Sequence, residues 1–268
     1  YDVNLFSGKV TDEVWARLNP KYTLDGDETQ IDNDPTLPRP LVNNAAAGAF
    51  PPGSTFKVVT ALAGLQEGVI DTKEQIEDKG RYTRFSEEQA PACWTWNDSH
   101  TTHGWVDMHK ALGGSCNYYF YEVGYRLGTQ RLEEYARKLG LGEKTGIELP
   151  NEARGMIGGE NAVQSVLKNR ATQMVQGYSD APHEQIEAAI ESLVDAFSMQ
   201  NTRALLQPLG LSAQQLEAVY TYINNNRWRE SRILSAAVGQ GDNNFSVLQM
   251  ANMTAAVASG GQRYRLSM

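Results

Sequence analysis

Ser54 and Lys57 stand three residues apart in the run Phe50-Pro51-Pro52-Gly53-Ser54-Thr55-Phe56-Lys57. Positions i and i+3 share one face of an α-helix, so a hydroxyl and an amine at this spacing can meet. Serine becomes a useful nucleophile only beside a base. A lysine is such a base near pH 7 only where burial or a neighbouring cation holds its amine neutral. Phe56, Val58, Val59, Leu62 and Leu65 supply apolar surroundings of that kind. Pro51 and Pro52 favour an extended entry and Gly53 a tight approach, which puts Ser54 in a first helical turn. Free backbone N–H groups gather there and could serve as an oxyanion hole. The competing reading is a plain N-cap at Ser54, because Ser-x-x-Lys arises by chance in many chains of this length.

A second motif, Gly113-Gly114-Ser115-Cys116-Asn117, precedes the aromatic run Tyr118 to Tyr121. Ser115 and Asn117 are predicted to lie on one side of a short loop or turn. A hydroxyl there can relay a proton and an amide can hold a carbonyl; alternatively, Ser115 only caps a helix. Taken together, the two motifs resemble the active site of the penicillin-recognising serine acyltransferases. The resemblance narrows to class B penicillin-binding proteins through flanking segments in the same order. These are Tyr1-Asp2-Val3-Asn4-Leu5-Phe6, Asn43-Asn44-Ala45, Cys93-Trp94, His103-Gly104, Leu139-Gly140-Leu141-Gly142, Thr145-Gly146-Ile147-Glu148-Leu149-Pro150, Val238-Gly239-Gln240-Gly241 and Gly260-Gly261.

The resemblance implies an α+β fold of the penicillin-binding transpeptidase and serine β-lactamase type over residues 1–268, with a helical insertion at about 165–230. It implies a monofunctional D,D-transpeptidase of the elongation or sporulation kind, with Ser54 as nucleophile, Lys57 as base, and Ser115 and Asn117 as proton relay and substrate holder. Peptidoglycan stem peptides and β-lactams would be its ligands and other membrane wall-synthesis proteins its partners. It would sit at the outer face of the bacterial cytoplasmic membrane on an N-terminal anchor, and no cofactor or metal is expected. A D,D-carboxypeptidase shares the same site. A non-catalytic β-lactam sensor or a scaffold is the reading from another class, and a β-lactamase is disfavoured by the lack of a class A deacylating carboxylate motif.

One departure concerns the family's Lys-Thr-Gly motif, which lies downstream of Gly-Gln-Gly on an edge strand. Lys144-Thr145-Gly146 stands upstream and reads as a loop. The expectation is therefore a chain cut at both ends, mainly α in the residues present, with much of the central antiparallel sheet missing.

The elements that must position these groups read mostly as helices: 54–66, 128–138, 182–199, 212–225 and 247–258. In the third, Ile186, Ile190, Leu193, Val194 and Phe197 form an apolar stripe opposite Glu184, Glu187, Glu191 and Asp195. Ser179 and Asp180 are its expected caps, with Pro182 in the first turn. The stripe is expected to pack inside the domain, with partner docking as the alternative.

Composition, 41% hydrophobic and 21% charged over 268 residues, suits a globular chain with a real core. The net charge of −8 argues against a nucleic-acid partner. No apolar run approaches the roughly 20 residues needed to span a bilayer. Cys93 and Cys116 read as two buried free thiols, or as a pair if the fold joins them. His100-x-x-His103 has metal-site spacing, but only Cys93 or Asp98 nearby could add a third ligand. Gly142-Glu143-Lys144-Thr145 lacks the spacing of a phosphate loop. Trp94, Trp96, Trp105 and the run Tyr118 to Tyr121 could line a peptide groove or fill a core.

Overall fold

The computed structural model describes residues 10–18 and 42–267; the segment Tyr1 to Phe6 lies outside the described residues. A short helix, α1 (Asp12–Leu18), comes first. The chain then passes through a 3-10 turn (Gly53–Phe56) into α2 (Lys57–Gln66). Next follow β1 (Ile76–Asp78), α3 (Trp94–Ser99), β2 (Gly104–Val106), α4 (Met108–Gly113), α5 (Asn117–Leu127) and α6 (Thr129–Lys138). Four helices come after: α7 (Glu160–Gln176), α8 (His183–Asp195), α9 (Met199–Leu206) and α10 (Ala213–Asn226). The described chain closes with α11 (Arg232–Ala237) and α12 (Val247–Ala258). β1 and β2 pair antiparallel, Ile76 opposite Val106 and Asp78 opposite Gly104, and form the one sheet among the described residues. The helix-rich α+β reading with little sheet is what the structure shows.

α5 packs against both α2 and α11. Its Tyr119, Phe120, Val123 and Leu127 are buried with Phe56 and Val59 from the α2 side and Ile233 and Ala237 of α11. Phe56 also stacks on Phe245, with ring centroids 5.9 Å apart. Burying each such ring contributes roughly 2 kcal/mol. The Thr60 hydroxyl, fully buried, donates to the Ala237 carbonyl oxygen at 2.7 Å and ties α2 to α11. This core holds α2 against the start of α5, where the two motifs meet.

α7 to α10 bury a second apolar cluster of their own: Leu167, Ala171 and Val175 against Ile186, Ile190, Leu193, Leu206, Val219 and Ile223. The stripe on α8 therefore packs within this bundle, with Ile186, Ile190 and Leu193 buried and Val194 and Phe197 partly so. The helix expected over 54–66 is α-helical only from Lys57, its start being the 3-10 turn, and further boundaries differ on α8. The helix foreseen over 182–199 breaks after Asp195, and α9 restarts after Ser198, whose side chain accepts from the Asn201 N–H. Ser179 and Asp180 do not cap α8. Its N-cap is Pro182, and the Ser179 hydroxyl donates instead to the Leu209 carbonyl oxygen at 2.6 Å. α10 and α12 begin with capping boxes, Ser212 with Gln215 and Ser246 with Gln249, so their predicted starts hold to within a residue.

Candidate active site

Gly53, at φ +57°, turns the chain into the 3-10 segment that carries Ser54. The turn is locked from behind. The Gly53 N–H donates to the Gly239 carbonyl oxygen at 2.8 Å, and a Cβ on Gly239 would sit 2.1 Å from the Gly53 oxygen. The segment Val238-Gly239-Gln240-Gly241 thus serves as a backbone rest for this turn. Ser54 is exposed, while Lys57, the first residue of α2, is 1% exposed. Ser54 is not a side-chain cap: the 3-10 turn follows Pro52 and no side-chain cap bond forms.

Lys57 Nζ lies within hydrogen-bond distance of four acceptors, Ser54 Oγ at 3.2 Å, the Ser115 carbonyl oxygen at 2.8 Å, Ser115 Oγ at 2.9 Å and Asn117 Oδ1 at 2.5 Å, which share its N–H groups. Ser115 Oγ in turn donates to Ser54 Oγ at 2.9 Å. All four residues singled out by the two motifs meet around one amine. Burial lowers the Lys57 pKa from 10.5 to about 8, against an opposing pull from the neighbouring Cys93 and Cys116. An amine so placed can take a proton from Ser54 and pass one through Ser115.

Ser115 adopts φ +50°, the left-handed region, in the turn between α4 and α5. Asn117 differs from the expected loop position: it is the first residue of α5, with Cys116 as N-cap. A helix start fixes its Cα direction more tightly than a loop does. The aromatic run after it is mostly core. Tyr119, Phe120 and Tyr121 are buried, whereas Trp94 and Trp105 stay exposed, so the two halves of the imagined groove part company.

Beneath Ser115 lies a buried polar cluster. Asp78, at the end of β1, accepts from the His103 backbone N–H at 3.1 Å and pairs with His103 Nδ1 at 2.8 Å. Cys93 Sγ lies 3.5 Å from that Nδ1 and 3.9 Å from Cys116 Sγ. Burial opposes charge on both His103 and Asp78, but their mutual hydrogen bonds prevail, raising the imidazole and lowering the carboxyl. The hydrogen bond between the two thiols draws the Cys93 thiol down to about 5, and the same bond with burial pushes Cys116 up. The cysteines are free thiols. The donor atoms of Asp78, Cys93, His103 and Cys116 all lie within 4.8 Å of one another. Two thiols, an imidazole and a carboxylate match the ligand types and number of a tetrahedral zinc site. The sequence reading paired His100 with His103 and named Cys93 or Asp98 as a third ligand; His103 and Cys93 belong to the cluster, whereas His100 and Asp98 do not.

The family model described as penicillin binding protein transpeptidase domain matches residues 11–268. The chain belongs to the penicillin-binding protein transpeptidase family. The peptidoglycan D,D-transpeptidase MrdA of Haemophilus influenzae is 30% identical over 275 residues, covering 100% of this chain and 39% of that protein. The chain thus spans well under half the length of that curated relative. The crystal structure of Pseudomonas aeruginosa PBP2 in complex with WCK 5153 superposes with a TM-score of 0.64 at 23% identity, over 100% of this chain and 43% of that one. PBP2 of Helicobacter pylori in complex with MreC gives 0.62 at 22%, over 100% and 36%. Both structures share the penicillin-binding transpeptidase fold with this chain.

Within this family member, Lys144-Thr145-Gly146 is a loop, as its place in the sequence suggested. The Thr145 N–H and hydroxyl donate to Glu152 Oε1, at 2.7 and 2.5 Å, which turns Thr145 toward the loop itself. Sequence reasoning missed Asp78, the bracing by Gly239, and the hydrogen bond that the Trp94 indole N–H donates to the Gly114 carbonyl oxygen. Asp78 carried no local signal. Trp94 was legible only as an aromatic residue beside Cys93.

Proposed function

We propose that this chain forms the serine acyl-transfer centre of a class B peptidoglycan D,D-transpeptidase. The observation that carries this reading is the buried Lys57 amine, with a pKa lowered to about 8, in hydrogen-bond contact with Ser54, Ser115 and Asn117. In the proposed cycle, Lys57 takes the Ser54 proton as Oγ attacks the penultimate D-alanine carbonyl of a stem peptide. The acyl C–N bond breaks, and the proton returns to the departing D-alanine nitrogen through Ser115 Oγ, which bridges Lys57 Nζ and Ser54 Oγ. An amine of a neighbouring stem peptide then attacks the ester, gives up its proton along the same path and frees Ser54. A β-lactam would acylate Ser54 by opening its ring and leave no departing group. Asn117 Oδ1 orients Lys57, and its amide group can also donate to the donor peptide.

The bundle α7 to α10 is, in this reading, a helical insertion on the transpeptidase domain, supported by its separate core. The site of action is the outer face of the cytoplasmic membrane. No helix among the described residues is long and apolar enough to cross one. Wall-synthesis proteins are the proposed partners, on the strength of the MreC complex of the Helicobacter pylori relative.

Fluorescent penicillin labelling of the full-length protein tests the centre. The unsubstituted protein should carry one covalent adduct on Ser54, and Ser54→Ala should carry none while its melting temperature is kept. An adduct that survives Ser54→Ala places the nucleophile elsewhere. A folded, unsubstituted protein that never labels favours the scaffold.

A further inference from the structure

Ser115 is the one residue of the constellation whose backbone is in an unfavourable region, φ +50° without being glycine. Such a conformation is unfavourable for a residue with a Cβ and persists only where the surroundings enforce it. The enforcing contacts act on the peptide unit before it. The Gly114 carbonyl oxygen accepts from the Trp94 indole N–H at 3.0 Å and also faces His103 Nε2 at 3.1 Å. A carbonyl oxygen only accepts, so Nε2 carries the proton and both lone pairs of that oxygen are engaged. The imidazole lies flush on the glycine: a Cβ at Gly114 would meet His103 Cδ2 at 3.1 Å. The Trp94 and His103 rings meet edge to face, with centroids 5.7 Å apart. On the far side, the Ser115 N–H donates to the Leu112 carbonyl oxygen at 3.2 Å.

Trp94 is 48% exposed and yet turns its one polar atom inward. We infer that Trp94 is a positioning residue for acyl transfer: its indole N–H, with His103 Nε2–H, clamps the Gly114 carbonyl and so holds Ser115 with its oxygens on Lys57 and Ser54. The inference rests on the acyl-transfer reading of Ser54 and Lys57. It holds whatever His103 Nδ1 faces in the buried cluster, since the clamp uses only Nε2.

With the N–H gone, the Gly114 oxygen keeps one donor and the peptide unit gains freedom to rotate. Ser115 Oγ then spends less time between Lys57 Nζ and Ser54 Oγ. The bond formed after noncovalent binding is affected, while binding itself is not. Loss of one neutral hydrogen bond corresponds to roughly a five- to ten-fold slower acylation step.

The test is stopped-flow acylation of the full-length protein by a fluorescent penicillin, resolving the noncovalent dissociation constant from the acylation rate constant. Two substitutions are made: Trp94→Phe, and replacement of Trp94 by 3-benzothienylalanine, which keeps the ring shape and has sulfur in place of N–H. The isostere carries the test should the phenylalanine variant fail to fold. The expected result is an acylation constant lowered about five- to ten-fold in both variants, with dissociation constants within two-fold of the unsubstituted protein. An unchanged acylation constant in the isostere overturns the inference. A raised dissociation constant with an unchanged acylation constant also overturns it and makes Trp94 a ligand contact. Absence of Ser54 labelling in the unsubstituted protein overturns the acyl-transfer reading, and this inference with it.

Discussion

Asn117→Ala separates two roles that a single amide could play, because only one of them depends on pH. Asn117 Oδ1 accepts from Lys57 Nζ at 2.5 Å, the shortest of that amine's four contacts. An acceptor favours the charged ammonium, so its removal lowers the Lys57 pKa below its present value of about 8. A hydrogen bond to a charged group is worth about 1.5–3 kcal/mol, and 1.36 kcal/mol is one pKa unit, so the fall is about one to two units. Only the neutral amine can take the Ser54 proton. In the unsubstituted protein, the acylation rate should climb about ten-fold per pH unit and level off above pH 8. In Asn117→Ala the plateau falls, because the amide no longer holds the ligand, but it is reached at a lower pH. The deficit of the variant is therefore largest near pH 9 and shrinks by about ten-fold or more toward pH 6. Stopped-flow acylation by a fluorescent penicillin between pH 5.5 and 9.5 measures this. A deficit that stays constant across the range, or an acid limb that moves to higher pH, refutes the coupling between Asn117 and Lys57.

Two further outcomes are expected. Gly239→Ala should lower stability by on the order of 2 kcal/mol or more and slow Ser54 labelling, since the new Cβ would sit 2.1 Å from the Gly53 carbonyl oxygen at a backbone φ of +73°. Thermal melting and labelling rates together check it, and an unperturbed Gly239→Ala would remove the proposed brace behind the nucleophile turn. The donor set of Asp78, Cys93, His103 and Cys116 should retain about one zinc per chain through purification without chelators, with Cys93→Ala losing most of it. Elemental analysis decides this, and a metal content near zero in the unsubstituted protein leaves the cluster as a hydrogen-bonded thiol pair.

Local spacing made half of the site readable. Ser54 and Lys57 are one turn apart, so any helix-like start at Gly53 brings them together, and the contact of 3.2 Å follows from covalent geometry. The aliphatic periodicity of α2, α6, α10 and α12 and the stripe on α8 likewise marked helices that the structure contains. α5 and α7 were not foreseen. In α5 the run Asn117-Tyr118-Tyr119-Phe120-Tyr121 is apolar nearly all round, because it is packed from both α2 and α11, and a helix buried on several sides loses its period. In α7 the inward residues Val163, Leu167, Ala171 and Val175 are spaced by four but alternate in size among polar neighbours.

The residue types and their order along the chain thus determined which groups could react: a serine and a lysine a turn apart, a Ser-x-Asn downstream, and flanking segments of a known transpeptidase family. Tertiary structure alone decided what state those groups are in. The Lys57 pKa is lowered to about 8 because packing of α2 against α5 buries the amine and disfavours its charged form. Lys57 meets Ser115 and Asn117, 58 and 60 residues away, only because a shared core sets the start of one helix against the start of another. The Asp78, Cys93, His103 and Cys116 cluster and the clamp on Gly114 are contacts of the same kind. Their members are scattered in sequence and carry no mutual spacing, so burial and proximity, which arise from packing, are what give them chemistry.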